Sequence, residues 1–120
     1  MTMATRIKSD ETVMGNMNSI YLCKAGDVPE NGVIQVTPPG FDDGIAVYRL
    51  DDGFYATDDM CTHAMVSLSG GEVEDGVIFC PLHGGAFDIR TGAATEFPCT
   101  RALKTYAVEE RDGSLFARAD

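Results

Sequence analysis

Residues 45–63, IAVYRLDDGFYATDDMCTH, carry the reading of the fold and open the reading of the site. Ile45–Leu50 and Phe54–Thr57 are short runs of apolar, β-branched and aromatic residues, and between them stands Asp52-Gly53, a pair that tolerates positive φ in a tight hairpin. Ile45–Leu50 is apolar on both faces apart from Arg49, the pattern of a strand covered on two sides. Just beyond the second run comes Cys61-Thr62-His63, which sets a thiol and an imidazole two positions apart.

The same punctuation continues in both directions. Runs at Ile20–Cys23, Val33–Val36, Val77–Cys80, Ala86–Arg90, Leu103–Glu109 and Ser114–Arg118 are separated by turn signals that include Asn31-Gly32, Asp43-Gly44, Asp75-Gly76 and Asp112-Gly113. Hairpins at such spacing build a sandwich or a small barrel. No stretch has the period of an amphipathic helix of useful length, so the expected class is all-β with little helix. Thr37-Pro38-Pro39-Gly40 reads as a surface loop, because proline cannot donate to a central ladder. A chain of 120 residues suits one domain around one core. Residues 1–17 lack sustained apolar periodicity and read as a mobile leader, which leaves 18–120 as the domain.

Nine Lys and Arg against nineteen Asp and Glu give a net charge of −10, which argues against nucleic acid, since phosphate contacts need clustered cations. At 44% hydrophobic and 23% charged residues the chain has the composition of a folded globule. No apolar run approaches the ~18 residues of a membrane helix, and MTMATRIKSDETVMG has no apolar stretch to serve as a signal peptide. The reading is a soluble, cytoplasmic protein with neither membrane nor nucleic acid as partner. Four Cys are too few for a disulfide scaffold and point instead to metal or redox use.

The chain has only two His, and each follows a Cys closely: Cys61-Thr62-His63, then, after sixteen residues, Cys80-Pro81-Leu82-His83. If a hairpin at Asp75-Gly76 closes the gap, two thiolates and two imidazoles meet. Such a set suits tetrahedral zinc or a two-iron, two-sulfide cluster, and ligand type alone does not choose between them. Zinc sites usually pair like ligands within a hook, whereas each hook here offers one Cys and one His. A cluster with one iron on both Cys and the other on both His takes one ligand of each kind from each hook. Cys23 and Cys99 have no His nearby and read as small buried hydrophobes. Gly84 and Gly85 suit a plain tight turn and, in the case of a cluster, would leave room for backbone N–H groups to approach its sulfides.

Cys61-Thr62-His63 with Cys80-Pro81-Leu82-His83-Gly84-Gly85 resembles the Rieske [2Fe–2S] binding motif, and the likeness extends from about Asn18 to the C-terminus through Phe87, Thr91-Gly92 and Phe97-Pro98. The layout is similar to the small Rieske ferredoxins of bacterial aromatic-ring-hydroxylating dioxygenase systems. The resemblance implies an antiparallel β-sandwich built from 18–57 and 99–120, capped by a cluster-binding subdomain of loops and short strands at about 58–98. It implies one [2Fe–2S] cluster held by Cys61, His63, Cys80 and His83. The charges of two ferric ions, two sulfides and two thiolates cancel, whereas four thiolates would leave two negative charges, so imidazole ligation makes reduction easier. Rieske potentials accordingly run from roughly −150 to +300 mV, against about −400 mV for plant-type ferredoxins.

High-potential members of the family carry a disulfide between Cys at the positions of Val66 and Leu82, and Ser and Tyr hydroxyls at those of Gly85 and Phe87. All four are absent here, which implies a potential near the low end; Gly85→Ser and Phe87→Tyr are expected to raise it. The implied role is that of a one-electron carrier, not an enzyme. It accepts from an NAD(P)H-dependent flavin reductase and delivers to a terminal Rieske oxygenase, as a monomer. Met65, Val66, Leu82, Phe97 and Pro98 are expected to rim the cluster. A mononuclear-iron oxygenase is excluded because the chain has no third His. Two alternatives stay open: the Rieske small subunit of an NAD(P)H-dependent nitrite reductase, and a zinc-stabilised interaction module.

Overall fold

The computed structural model describes residues 19–62, 64–82 and 84–118. The leader expected over 1–17 lies outside them. Among the described residues the strands are β1 (Ser19–Lys24), β2 (Gly32–Val36), β3 (Ile45–Leu50), β4 (Gly53–Asp58), β5 (Glu72–Glu74), β6 (Val77–Phe79), β7 (Ala86–Asp88), β8 (Ala94–Glu96), β9 (Thr105–Tyr106), β10 (Val108–Arg111) and β11 (Ser114–Arg118). Among the same residues helix is confined to single 3-10 turns at Ala25–Asp27 and Leu68–Gly70. The strands form three antiparallel sheets, ordered β9-β4-β3-β2, β10-β11-β1 and β5-β6-β7-β8. The all-β class read from the sequence is the class observed.

β3 decides how the layers stack. Its side chains alternate, so Ile45 and Val47 enter one apolar cluster with Leu22, Val28, Ala56 and Leu115, while Ala46, Tyr48 and Leu50 enter another with Leu68, Ile78, Phe87 and Leu103. The single core expected from chain length is therefore two. A strand apolar on both faces must feed a core on each, and each fully buried aliphatic or Phe side chain contributes about 1.5–3 kcal/mol. The register with β4 keeps the faces apart: Val47 pairs with Ala56, and Tyr48 with Tyr55. Tyr48 is fully buried, and its hydroxyl meets Thr57 Oγ1 at 2.8 Å. Thr57 Oγ1 donates on to the Asp58 carbonyl, also at 2.8 Å, so the buried hydroxyl is satisfied. Burial above all pushes the Tyr48 pKa upward.

The turn signals divide in two. Asp75-Gly76 and Asp112-Gly113 have both residues at positive φ and close two-residue hairpins, with Glu74 opposite Val77 and Arg111 opposite Ser114. Asp52-Gly53 does not form the turn expected of it. Leu50 pairs with Gly53, so Asp51 and Asp52 make the turn and Gly53 already belongs to β4.

The run Leu103–Glu109 is split at Ala107, because β9 pairs with β4 in one sheet and β10 with β11 in another. β5 and β8, with sequences EVE and ATE, offer no apolar run to read and are held by their neighbours β6 and β7.

Candidate metal centre

Three short loops meet around Cys61, Cys80 and Cys99. Beyond β4, the Cys61 N–H donates to the Val66 carbonyl at 3.0 Å and closes the first. Beyond β6, the Cys80 N–H donates to the Gly85 carbonyl at 2.7 Å and closes the second, at the mouth of the β6–β7 hairpin. Beyond β8, the Cys99 N–H donates to the Glu96 carbonyl at 3.1 Å and closes the third. The first and third are tied together: Thr62 Oγ1 donates to the Arg101 carbonyl at 2.9 Å, and Arg101 Nη2 donates to the Thr62 carbonyl at 3.3 Å.

The loops turn their thiols inward. Cys61, Cys80 and Cys99 are each 3% exposed and belong to one apolar cluster, with the sulfurs of Cys61 and Cys99 3.7 Å apart. Burial pushes the Cys80 thiol above its ordinary pKa; a backbone hydrogen bond from Leu82 opposes this, and Cys61 adds to it. Burial, with Cys61 next, pushes Cys99 up to about 12. Cys23 lies apart in the other core, as a buried thiol. His63 and His83 lie outside the described residues.

Asp59 anchors the first loop, and nothing in the sequence singled it out. It is 1% exposed, yet its carboxylate accepts from Gln35 Nε2 at 2.7 Å, from the Ser69 N–H at 2.9 Å and from Ser67 Oγ. The Leu68 N–H donates to its carbonyl at 2.7 Å. The backbone on both sides of Cys61 is thus pinned to one buried residue. In sequence Asp59 is one acid among several, and Gln35, Ser67 and Ser69 form no recognisable motif with it.

Outside, the three loops are apolar. Met65 is 91% exposed, Leu82 42% and Phe97 83%, one on each loop, while Val66 and Pro98 are half-buried. Large exposed apolar side chains on loops that meet in this way mark a contact surface.

The residues present fit a cluster of iron and sulfide. Two thiols converge in a water-poor pocket, and thiolate is the soft donor such clusters need; coordination to iron reverses the effect of burial by taking the proton off outright. Gly84 turns the second loop at φ +74, a conformation that side-chain-bearing residues rarely adopt. The family description of the Rieske [2Fe–2S] domain matches residues 18–107.

The chain belongs to the Rieske family.

Its cofactor is a Rieske-type [2Fe–2S] cluster, and the zinc alternative falls away. This Rieske chain is 42% identical over 106 residues to "Ferredoxin CarAc" of Metapseudomonas resinovorans, covering 87% of this chain and 98% of that one. It is 39% identical over 102 residues to the "3-phenylpropionate/cinnamic acid dioxygenase ferredoxin subunit" of Escherichia coli K12, covering 83% and 92%. Among solved structures it is similar to a chain of a "Complex of reduced oxygenase and oxidized ferredoxin in carbazole 1,9a-dioxygenase". There the TM-score is 0.80, with 39% identity over 88% of this chain and 96% of that one.

Proposed function

We propose that this Rieske protein is a one-electron carrier of the cytoplasm that serves an aromatic-ring-hydroxylating dioxygenase system. It takes electrons from an NAD(P)H-dependent flavin reductase and passes them to the terminal oxygenase, and is not itself an enzyme. One observation carries this reading: the three loops bury Cys61 and Cys80 and set Met65, Leu82 and Phe97 outside them. Cys61 and Cys80 would hold one iron, and His63 and His83 the other, in a subdomain at about 58–98 on a base of 18–57 and 99–120. When bound, the cluster takes up and gives back single electrons. The chain's own residues keep water from the thiolates, hold the loops in place through Asp59 and the Thr62–Arg101 bonds, and present an apolar face that sheds water when a partner seats on it.

A face built on three exposed side chains suits a transient redox encounter, which needs only a small interface. The net charge of −10 steers the approach of partners with basic patches. The relatives described above are ferredoxins of dioxygenase systems, which favours an oxygenase donor over a nitrite reductase subunit.

The test is an anaerobic redox titration of the holoprotein followed by electron paramagnetic resonance, then turnover with reductase and oxygenase. The expected result is the low average g of a His-ligated cluster, titrating near the bottom of the range at roughly −150 mV, and hydroxylation that requires this protein. A redox-silent protein, or a titration near the top of the range, overturns the reading.

A further inference from the structure

Cys99 is the thiol of the centre that neither hook requires. Its sulfur lies 3.7 Å from Cys61 Sγ, within reach of an S–H···S hydrogen bond. Its place is built from both sides. The bonds between Thr62 and Arg101 fix its segment against Cys61. A Cβ at residue 85 would stand 2.3 Å from Cys99 Sγ, so the glycine there leaves room for this thiol.

We infer that Cys99 is a positioning residue for the cluster, whose S–H donates to the Cys61 sulfur and raises the reduction potential. The inference rests on Cys61 being a ligand. Reduction adds one negative charge, which spreads onto the ligating sulfurs, and a donor aimed at one of them favours the reduced state over the oxidised one. The space beside Gly85 is held here by the Cys99 thiol. The expectation for Gly85→Ser changes with it. That substitution alone collides with Cys99 Sγ, whereas in a Cys99→Ala background the remaining neighbours, the Cβ and N of residue 99, stand 3.2 Å away and need to give by only a few tenths of an ångström.

The test has two readouts. In the holoprotein, once Cys61 and Cys80 are ligated, the free thiols are Cys23 and Cys99, and infrared S–H stretching distinguishes a donating thiol from an idle one. A band shifted to lower frequency that disappears in Cys99→Ala is expected. Voltammetry on loaded variants supplies the second readout: Cys99→Ala lowers the midpoint potential, while Cys99→Ser and Cys99→Ala/Gly85→Ser return it toward the parent. An unshifted S–H band in the parent, or an unchanged potential in loaded Cys99→Ala, overturns the inference. If Cys99→Ala loads no cluster, the parent's infrared band decides. A full Rieske cluster in Cys61→Ala would instead refute the ligation reading beneath it.

Discussion

Replacing Asp59 tests whether one buried carboxylate holds the Cys61 loop. Asp59→Ala removes three side-chain hydrogen bonds, from Gln35, Ser67 and the Ser69 N–H. Gln35 is exposed and can turn to water, so its loss costs little. Ser67 and the Ser69 amide are half-buried and lose a charged acceptor, at about 1.5 kcal/mol each. The expected cost is therefore about 3 kcal/mol, concentrated in residues 59–69 rather than spread over the domain. With about 1.4 kcal/mol per tenfold, local opening of this loop becomes on the order of a hundredfold more frequent. The assay is loss of the visible absorption of the holoprotein on challenge with an iron chelator, at several urea concentrations. Asp59→Asn, which keeps the shape and one acceptor oxygen, should fall between parent and Ala. A release rate within about threefold of the parent in Asp59→Ala would refute the anchoring role.

Gly71→Ala should destabilise the small sheet, because the new Cβ would stand 1.8 Å from the Phe79 carbonyl oxygen. A loss at or beyond the upper end of the ~1–3 kcal/mol of overpacking is expected in urea unfolding. Gly70→Ala, whose Cβ meets nothing within 4 Å, should stay within ~0.5 kcal/mol of the parent. Met65→Gln and Phe97→Ser change exposed side chains of the rim. They should leave the midpoint potential unchanged while slowing electron delivery to the oxygenase several-fold in stopped-flow measurements; an unaltered rate would remove the rim from the docking surface. Arg90 beside Asp52, with Nη2 2.9 Å from Oδ1, holds that carboxyl below its ordinary value of 3.8. The pair's contribution is full above that value and is lost as pH falls through the lowered one. Parent and Asp52→Asn should thus differ in urea midpoint at neutral pH and converge in acid.

Some features of this protein are written locally in the chain. Ile45–Leu50 and Ser114–Arg118 are strands to the residue, because a strand-forming run that starts just after a turn pair needs no distant information. The two Cys/His hooks are likewise local patterns, since each sets a Cys and a His within three residues of each other and their alternation is itself chemical. Tertiary pairing decided the rest. β5 and β8 exist because β6 and β7 supply their hydrogen bonds, and Leu103–Glu109 breaks because two sheets compete for its ends. Cys99 reads as an ordinary buried thiol until the fold brings it to Cys61 across thirty-eight residues. Asp59 reads as one acid among many until Gln35, Ser67 and Ser69 close on it. Periodicity and spacing record what a residue does with its neighbours in sequence; a thiol's environment and a carboxylate's donors depend on contacts that only chain closure creates.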